Sequence, residues 1–171
     1  IRQARNVVLA MPLDTRLLFN ALHAITAQGE ERREVVFLSD YLKKREGTRS
    51  LRILVADDND INRRLVLAIL ENAGHSVTLV NNGREAVEAV SRTAFSLVLM
   101  DIQMPLMDGV QATRRIRPLP PPNRDVPIVA LTADATPETR RKCEEAGMDA
   151  YITKPVDAAR LISVIDSLVD A

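Results

Sequence analysis

From residue 51 onward, short apolar runs alternate with stretches whose apolar positions recur every three to four residues. Residues 51–56 (LRILVA) read as a buried strand, and residues 62–73 as an amphipathic helix stopped by Gly74, with Leu65, Val66, Ile69 and Leu70 on one face. Residues 76–80 give a second strand, and residues 83–91 a short helix with Ala86, Val87 and Val90 turned inward. Residues 97–100 form a third, wholly apolar strand, and residues 108–115 a helix. A fourth strand is expected over 126–131, and a helix over 137–146 that opens on Pro137 and closes at Gly147. Residues 150–152 make a short fifth strand, followed by an amphipathic helix over 157–168. Five strand–helix pairs in series predict a parallel α/β sheet with helices on both faces.

In such sheets ligands bind beyond the carboxyl ends of the strands. Strand one there meets Asp57 and Asp58, strand three Asp101, strand four Thr132, and strand five is followed by Lys154-Pro155. Adjacent carboxylates at the rim of a core repel each other, so either they are solvated helix caps or they wall a cation site. Three carboxylates converging on one pocket need a counter-charge. A hard divalent cation such as Mg²⁺ suits an all-oxygen ligand set, and Lys154 adds a fixed positive charge. The chemistry best served is phosphoryl transfer to a carboxylate nucleophile, with Thr132 bonded to a phosphoryl oxygen.

Charge and composition narrow the classes without naming one. Basic and acidic side chains number 23 each, so no strong field points to nucleic acid or an anionic membrane. Cys143 is the only cysteine, which excludes an intrachain disulfide and suits a reducing, cytoplasmic setting. Nothing resembles a signal peptide or a membrane span, and a start at Ile1 without Met suggests a piece of a longer chain.

Taken together, ILVADDND, VLMDIQMPLMDG, IVALTADA and ITKPV, in this order and at these separations, resemble the receiver domain of two-component response regulators over residues 51–171. The resemblance implies a flavodoxin-like sheet of strand order 2-1-3-4-5. It implies Asp101 as phosphoacceptor, Asp58 as direct Mg²⁺ ligand with Asp57 assisting, and the backbone carbonyl of Gln103 as a further ligand. Thr132 and Lys154 would contact the phosphoryl group, a cis peptide would join Lys154 to Pro155, and Tyr151 would be the aromatic switch. Activity would be limited to self-catalysed phosphotransfer and aspartyl-phosphate hydrolysis.

Residues 11–22 (MPLDTRLLFNAL) echo residues 154–165 (KPVDAARLISVI), with Met11 where the later copy has Lys154. Residues 1–26 therefore read as the tail of a degenerate receiver-like segment or a docking helix, and residues 27–50 as a linker. This arrangement is similar to hybrid sensor histidine kinases with receivers in series, and the wording of residues 11–80 especially resembles those of bacterial diffusible fatty-acid signal systems. That similarity implies a transmitter histidine kinase domain and a histidine phosphotransfer domain as partners, an inner-membrane parent, and a crotonase-like synthase as a docking partner. The chain's end soon after the last helix is read as leaving no room for a DNA-binding output domain.

Plainer readings stand beside these. Asp58, Asn59 and Asp60 cap a helix in isolation, and Asp108 reads as a cap or turn residue. Residues 118–122 (PLPPP) read as a stiff connector, Cys143 as a small buried residue, and His23 and His75 as uninvolved in relay. Arg63, Arg64, Arg114, Arg115, Arg140, Arg141 and Lys142 read as solvated helix faces. A haloacid-dehalogenase-type phosphatase would want a second acid two residues after Asp101, where Gln103 stands. A receiver that chiefly docks a partner, independent of phosphorylation, is the other alternative.

Overall fold

A computed structural model describes residues 50–169. The expectations for residues 1–26 and 27–50 lie outside the described residues, Ser50 excepted. The elements alternate without exception: β1 (Arg52–Ala56), α1 (Asp60–Asn72), β2 (Ser76–Val80), α2 (Gly83–Arg92), β3 (Leu97–Asp101), α3 (Gly109–Ile116), β4 (Ile128–Thr132), α4 (Pro137–Ala146), β5 (Ala150–Thr153) and α5 (Ala158–Val169). A single 3₁₀ turn, Asn123–Asp125, follows the proline-rich connector.

All strand pairings are parallel and the sheet order is β2-β1-β3-β4-β5, as expected. Side chains alternate across a strand, so each strand feeds two layers. Leu54, Ala56, Val98, Met100, Ile128 and Ala130 face a layer completed by Ala86 and Val90 of α2, Ala112 and Ile116 of α3, and Cys143 of α4. Ile53, Val55, Leu97, Leu99, Val129, Leu131 and Ile152 face Val66 and Leu70 of α1 and Leu161 and Ile165 of α5. The central strands β3 and β4 are buried throughout, whereas edge strand β2 is largely exposed.

Boundaries follow local chemistry. Asn59 caps α1 by accepting from the Ile61 and Asn62 amides, Asn82 caps α2, Asp108 caps α3 and Thr136 caps α4. Gly74 and Gly147 sit just beyond α1 and α4 at φ +85° and +90°, where a side chain would be strained. The fourth strand begins at Ile128 rather than Val126, because Pro127 has no amide to extend the ladder. Leu65 departs from the expected inward face of α1 and is 41% exposed. Among the described residues no helix is long and apolar enough to cross a membrane.

Candidate functional site

The parallel topology delivers the candidate acids, hydroxyl and ammonium to one edge. Asp57 follows β1, Asp101 ends β3, Thr132 ends β4, and Lys154 follows β5. One carboxylate oxygen from each of Asp57, Asp58 and Asp101 lies within 4.8 Å of the others. Asp57 and Asp101 are buried and Asp58 is exposed. The Lys154 ammonium bridges the two buried acids, 2.7 Å from Asp57 Oδ2 and 2.6 Å from Asp101 Oδ2.

The acids are also held by backbone donors. The Asn59 amide donates to Asp57 Oδ1 at 2.8 Å, and the Gln103 amide to Asp101 Oδ1 at 3.1 Å. Burial drives the Asp101 carboxyl above its ordinary value, against the opposing pull of its Lys154 and Gln103 hydrogen bonds. Burial disfavours the Lys154 ammonium as well, but the bonds to Asp101 and Asp57 outweigh it and its pKa is raised. Lys154 therefore remains charged at neutral pH.

Three carboxylates against one ammonium leave a net negative site built of hard oxygen donors. That donor set fits a small divalent cation. It also answers the repulsion between Asp57 and Asp58: the buried one is paired with Lys154, and the exposed one has no side-chain partner among the described residues. An open groove of about 670 Å³ runs away from Asp58 past Ile102, Gln103, Met104, Pro105 and Lys142.

Thr132 lies at the same edge, but its hydroxyl donates to the Asp134 carbonyl at 2.6 Å and accepts from the Asp134 amide. Tyr151 is half-buried and packs on the α2–α3–α4 layer, the side of the sheet that Thr132 shares by alternation. The Arg140 guanidinium lies 4.7 Å from the Tyr151 ring centroid. The Lys154-Pro155 peptide is cis, as the resemblance implied.

Glycine packing supports the loop that follows Asp101. A Cβ on Gly109 would meet the Asp101 carbonyl oxygen at 2.2 Å, and one on Gly83 would meet the Met107 carbonyl at 2.5 Å. Sequence reasoning missed Arg63, expected on a solvated face. Its side chain is only 14% exposed and donates to the Asp57 carbonyl at 2.7 Å. Arg140 likewise covers an aromatic ring rather than standing free.

A five-stranded, doubly wound sheet with a lysine-bridged acid cluster at its carboxyl edge defines a signalling receiver. Residues 53–166 match the response regulator receiver domain, and the chain belongs to that family. It is a receiver module of two-component phosphorelay signalling, of the kind found in hybrid sensor histidine kinases. The sensory/regulatory protein RpfC of Xanthomonas campestris pv. campestris is 38% identical over 135 residues, which cover 78% of this chain and 19% of RpfC. The chain thus spans about a fifth of that relative's length. The receiver domain of sensor histidine kinase PA1611 from Pseudomonas aeruginosa PAO1, whose structure has magnesium coordinated in the active site cleft, is 37% identical. It superposes with a TM-score of 0.68 over 72% of this chain and 100% of its own. A chain of the Saccharomyces cerevisiae co-crystal of the histidine phosphotransfer protein Ypd1 with the receiver domain of Ssk1 matches at 30% identity and TM-score 0.64, covering 71% and 90%.

Proposed function

We propose that Asp101 is the residue that accepts the phosphoryl group, from a phosphohistidine presented by a kinase transmitter domain or a histidine phosphotransfer domain. The observation that carries this reading is the Lys154 bridge between Asp57 Oδ2 and Asp101 Oδ2. It leaves Asp101 a buried carboxylate whose charge is offset by the Lys154 ammonium.

An Asp101 carboxylate oxygen forms the new P–O bond while the P–N bond to imidazole breaks, the nitrogen keeping that electron pair. Lys154, already 2.6 Å from Asp101, needs only a small shift to follow negative charge onto a phosphoryl oxygen. Asp57, Asp58, Asp101 and the Gln103 carbonyl would hold Mg²⁺, which when bound neutralises phosphoryl oxygens. The Thr132 hydroxyl, bonded to the Asp134 carbonyl, would turn from it to the phosphoryl group. Its shared sheet face with Tyr151 supports a coupled movement of the ring, and with it a changed partner surface along α4, β5 and α5.

The test is incubation with acetyl phosphate, with and without Mg²⁺, read by intact mass. We expect one added phosphoryl group that requires Mg²⁺ and is lost in Asp101→Asn. Lys154→Ala should keep the fold and lose at least about tenfold in phosphorylation rate. If neither acetyl phosphate nor a phosphorylated transmitter domain modifies the wild type, the phosphoacceptor reading fails. The finer assignment, a fatty-acid-signal sensor kinase of the inner membrane that docks a crotonase-like synthase, rests on the sequence resemblance alone. Equal capture of such a partner by wild type and Asp101→Asn would mark the docking as independent of phosphorylation.

A further inference from the structure

We infer that Arg63 is a positioning residue that pre-sets Asp58 for the divalent cation, without touching the cation itself. The inference rests on the proposed cation site and adds to it a residue outside the ligand set. Helix side chains lean toward the N-terminus, so Arg63, in the first turn of α1, folds back over the β1–α1 turn. Its Nη1 donates to the Asp57 carbonyl at 2.7 Å, and its Nη2 reaches Asp60 Oδ1 at 3.2 Å. No other donor among the described residues reaches the Asp57 carbonyl.

That carbonyl belongs to the peptide unit joining Asp57 to Asp58. A peptide unit is planar, so holding its oxygen fixes where the Asp58 nitrogen and Cα sit; with the Asn59 amide tied to Asp57 Oδ1 on the far side, the Asp58 backbone is held at both ends and its side chain starts from a fixed point. Asp58 needs this help, because its own carboxylate is exposed and has no side-chain partner among the described residues. Asp57 is differently placed, tied by Lys154 and by the Asn59 amide. Arg63 therefore acts on the one acid of the three that the rest of the site leaves free to turn.

A lysine at this position would carry the charge but not the two-pronged geometry. The neighbouring Arg64 provides a control: it is 78% exposed and pairs with the other oxygen of Asp60 at 2.8 Å, with no bond to the peptide. Charge alone and positioning predict opposite signs. Removing a positive charge near an acidic cluster should tighten a cation, whereas releasing the peptide should weaken it.

The experiment is a Mg²⁺ titration of the full chain, followed by amide NMR shifts, for wild type, Arg63→Met, Arg63→Lys and Arg64→Met. Melting with excess chelator is measured alongside. We expect Arg63→Met to raise the Mg²⁺ dissociation constant by about tenfold or more, in the range for groups that orient metal ligands. Arg63→Lys should recover part of the loss, and Arg64→Met should leave the constant unchanged or lower. If Arg63→Met melts far below wild type, Arg63→Lys decides, expected between wild type and Met. An unchanged or tightened constant in both Arg63 variants overturns the inference. Failure of the wild type to bind Mg²⁺ overturns the cation site itself, and this inference with it.

Discussion

Asp101 is held where its charge is disfavoured. Its folded pKa lies above the ordinary value of 3.8, chiefly through burial, so ionising it opposes folding. The associated stability is present below the unfolded pKa and lost as pH rises through the folded one. In metal-free buffer Asp101→Asn should therefore melt above wild type at neutral pH, with the gap closing as pH falls through the folded pKa toward 3.8, as thermal scans across pH would register. Cys143 offers a second residue-level check. Burial, aided by the Glu144 charge, raises its pKa above the ordinary thiol value of 9.0, and it is 4% exposed. A disulfide reagent at neutral pH should react slowly with the native thiol and rapidly in guanidinium. The acids and Lys154 were legible in the sequence because ionisable groups directly after apolar strands contradict their surroundings. Arg63 was not, because its partner is a main-chain carbonyl. Every residue has one, so a half-buried arginine of this kind reads like any surface arginine.

Elements were legible where periodicity and caps agreed, as in α4 between Thr136 and Gly147. What they hid is how tightly the loops between them are tied. Arg117, just after α3, donates to the Gly147, Arg124 and Val126 carbonyls and pairs with Asp149 at 2.9 Å. One guanidinium thus joins α3, the 3₁₀ turn and the α4–β5 turn, again through backbone acceptors without a sequence signature. Arg117→Lys cannot reproduce that fork and should lose about 1–3 kcal/mol in denaturant unfolding. Gly109 is the tighter constraint. Alanine there would drive its Cβ to 2.2 Å from the Asp101 carbonyl, so Gly109→Ala should destabilise by about 1–3 kcal/mol or more and slow phosphorylation together. Slow phosphorylation at unchanged stability would show that the loop yields without strain.

At the scale of the molecule, the alternation of strands and helices was enough to read a parallel sheet, while strand order came from the resemblance. The five described helices divide two to one face and three to the other, and the charged groups of the site gather at an edge that neither apolar layer needs. Ligand binding at that edge should show as added stability by mass action. Mg²⁺ at a hundred times its dissociation constant should contribute about 2.7 kcal/mol, seen as a higher melting temperature that Asp58→Ala removes. The separation of layers from edge has a consequence for inheritance. A duplicated copy that loses Asp101 keeps both apolar layers and sheds a charge that opposed folding, so nothing in its stability selects against the loss. Reactivity in this fold is maintained only by use, and idle copies drift toward mute, durable scaffolds. On that expectation, the echo of residues 154–165 in residues 11–22, with Met11 in place of the lysine, reads as such a copy.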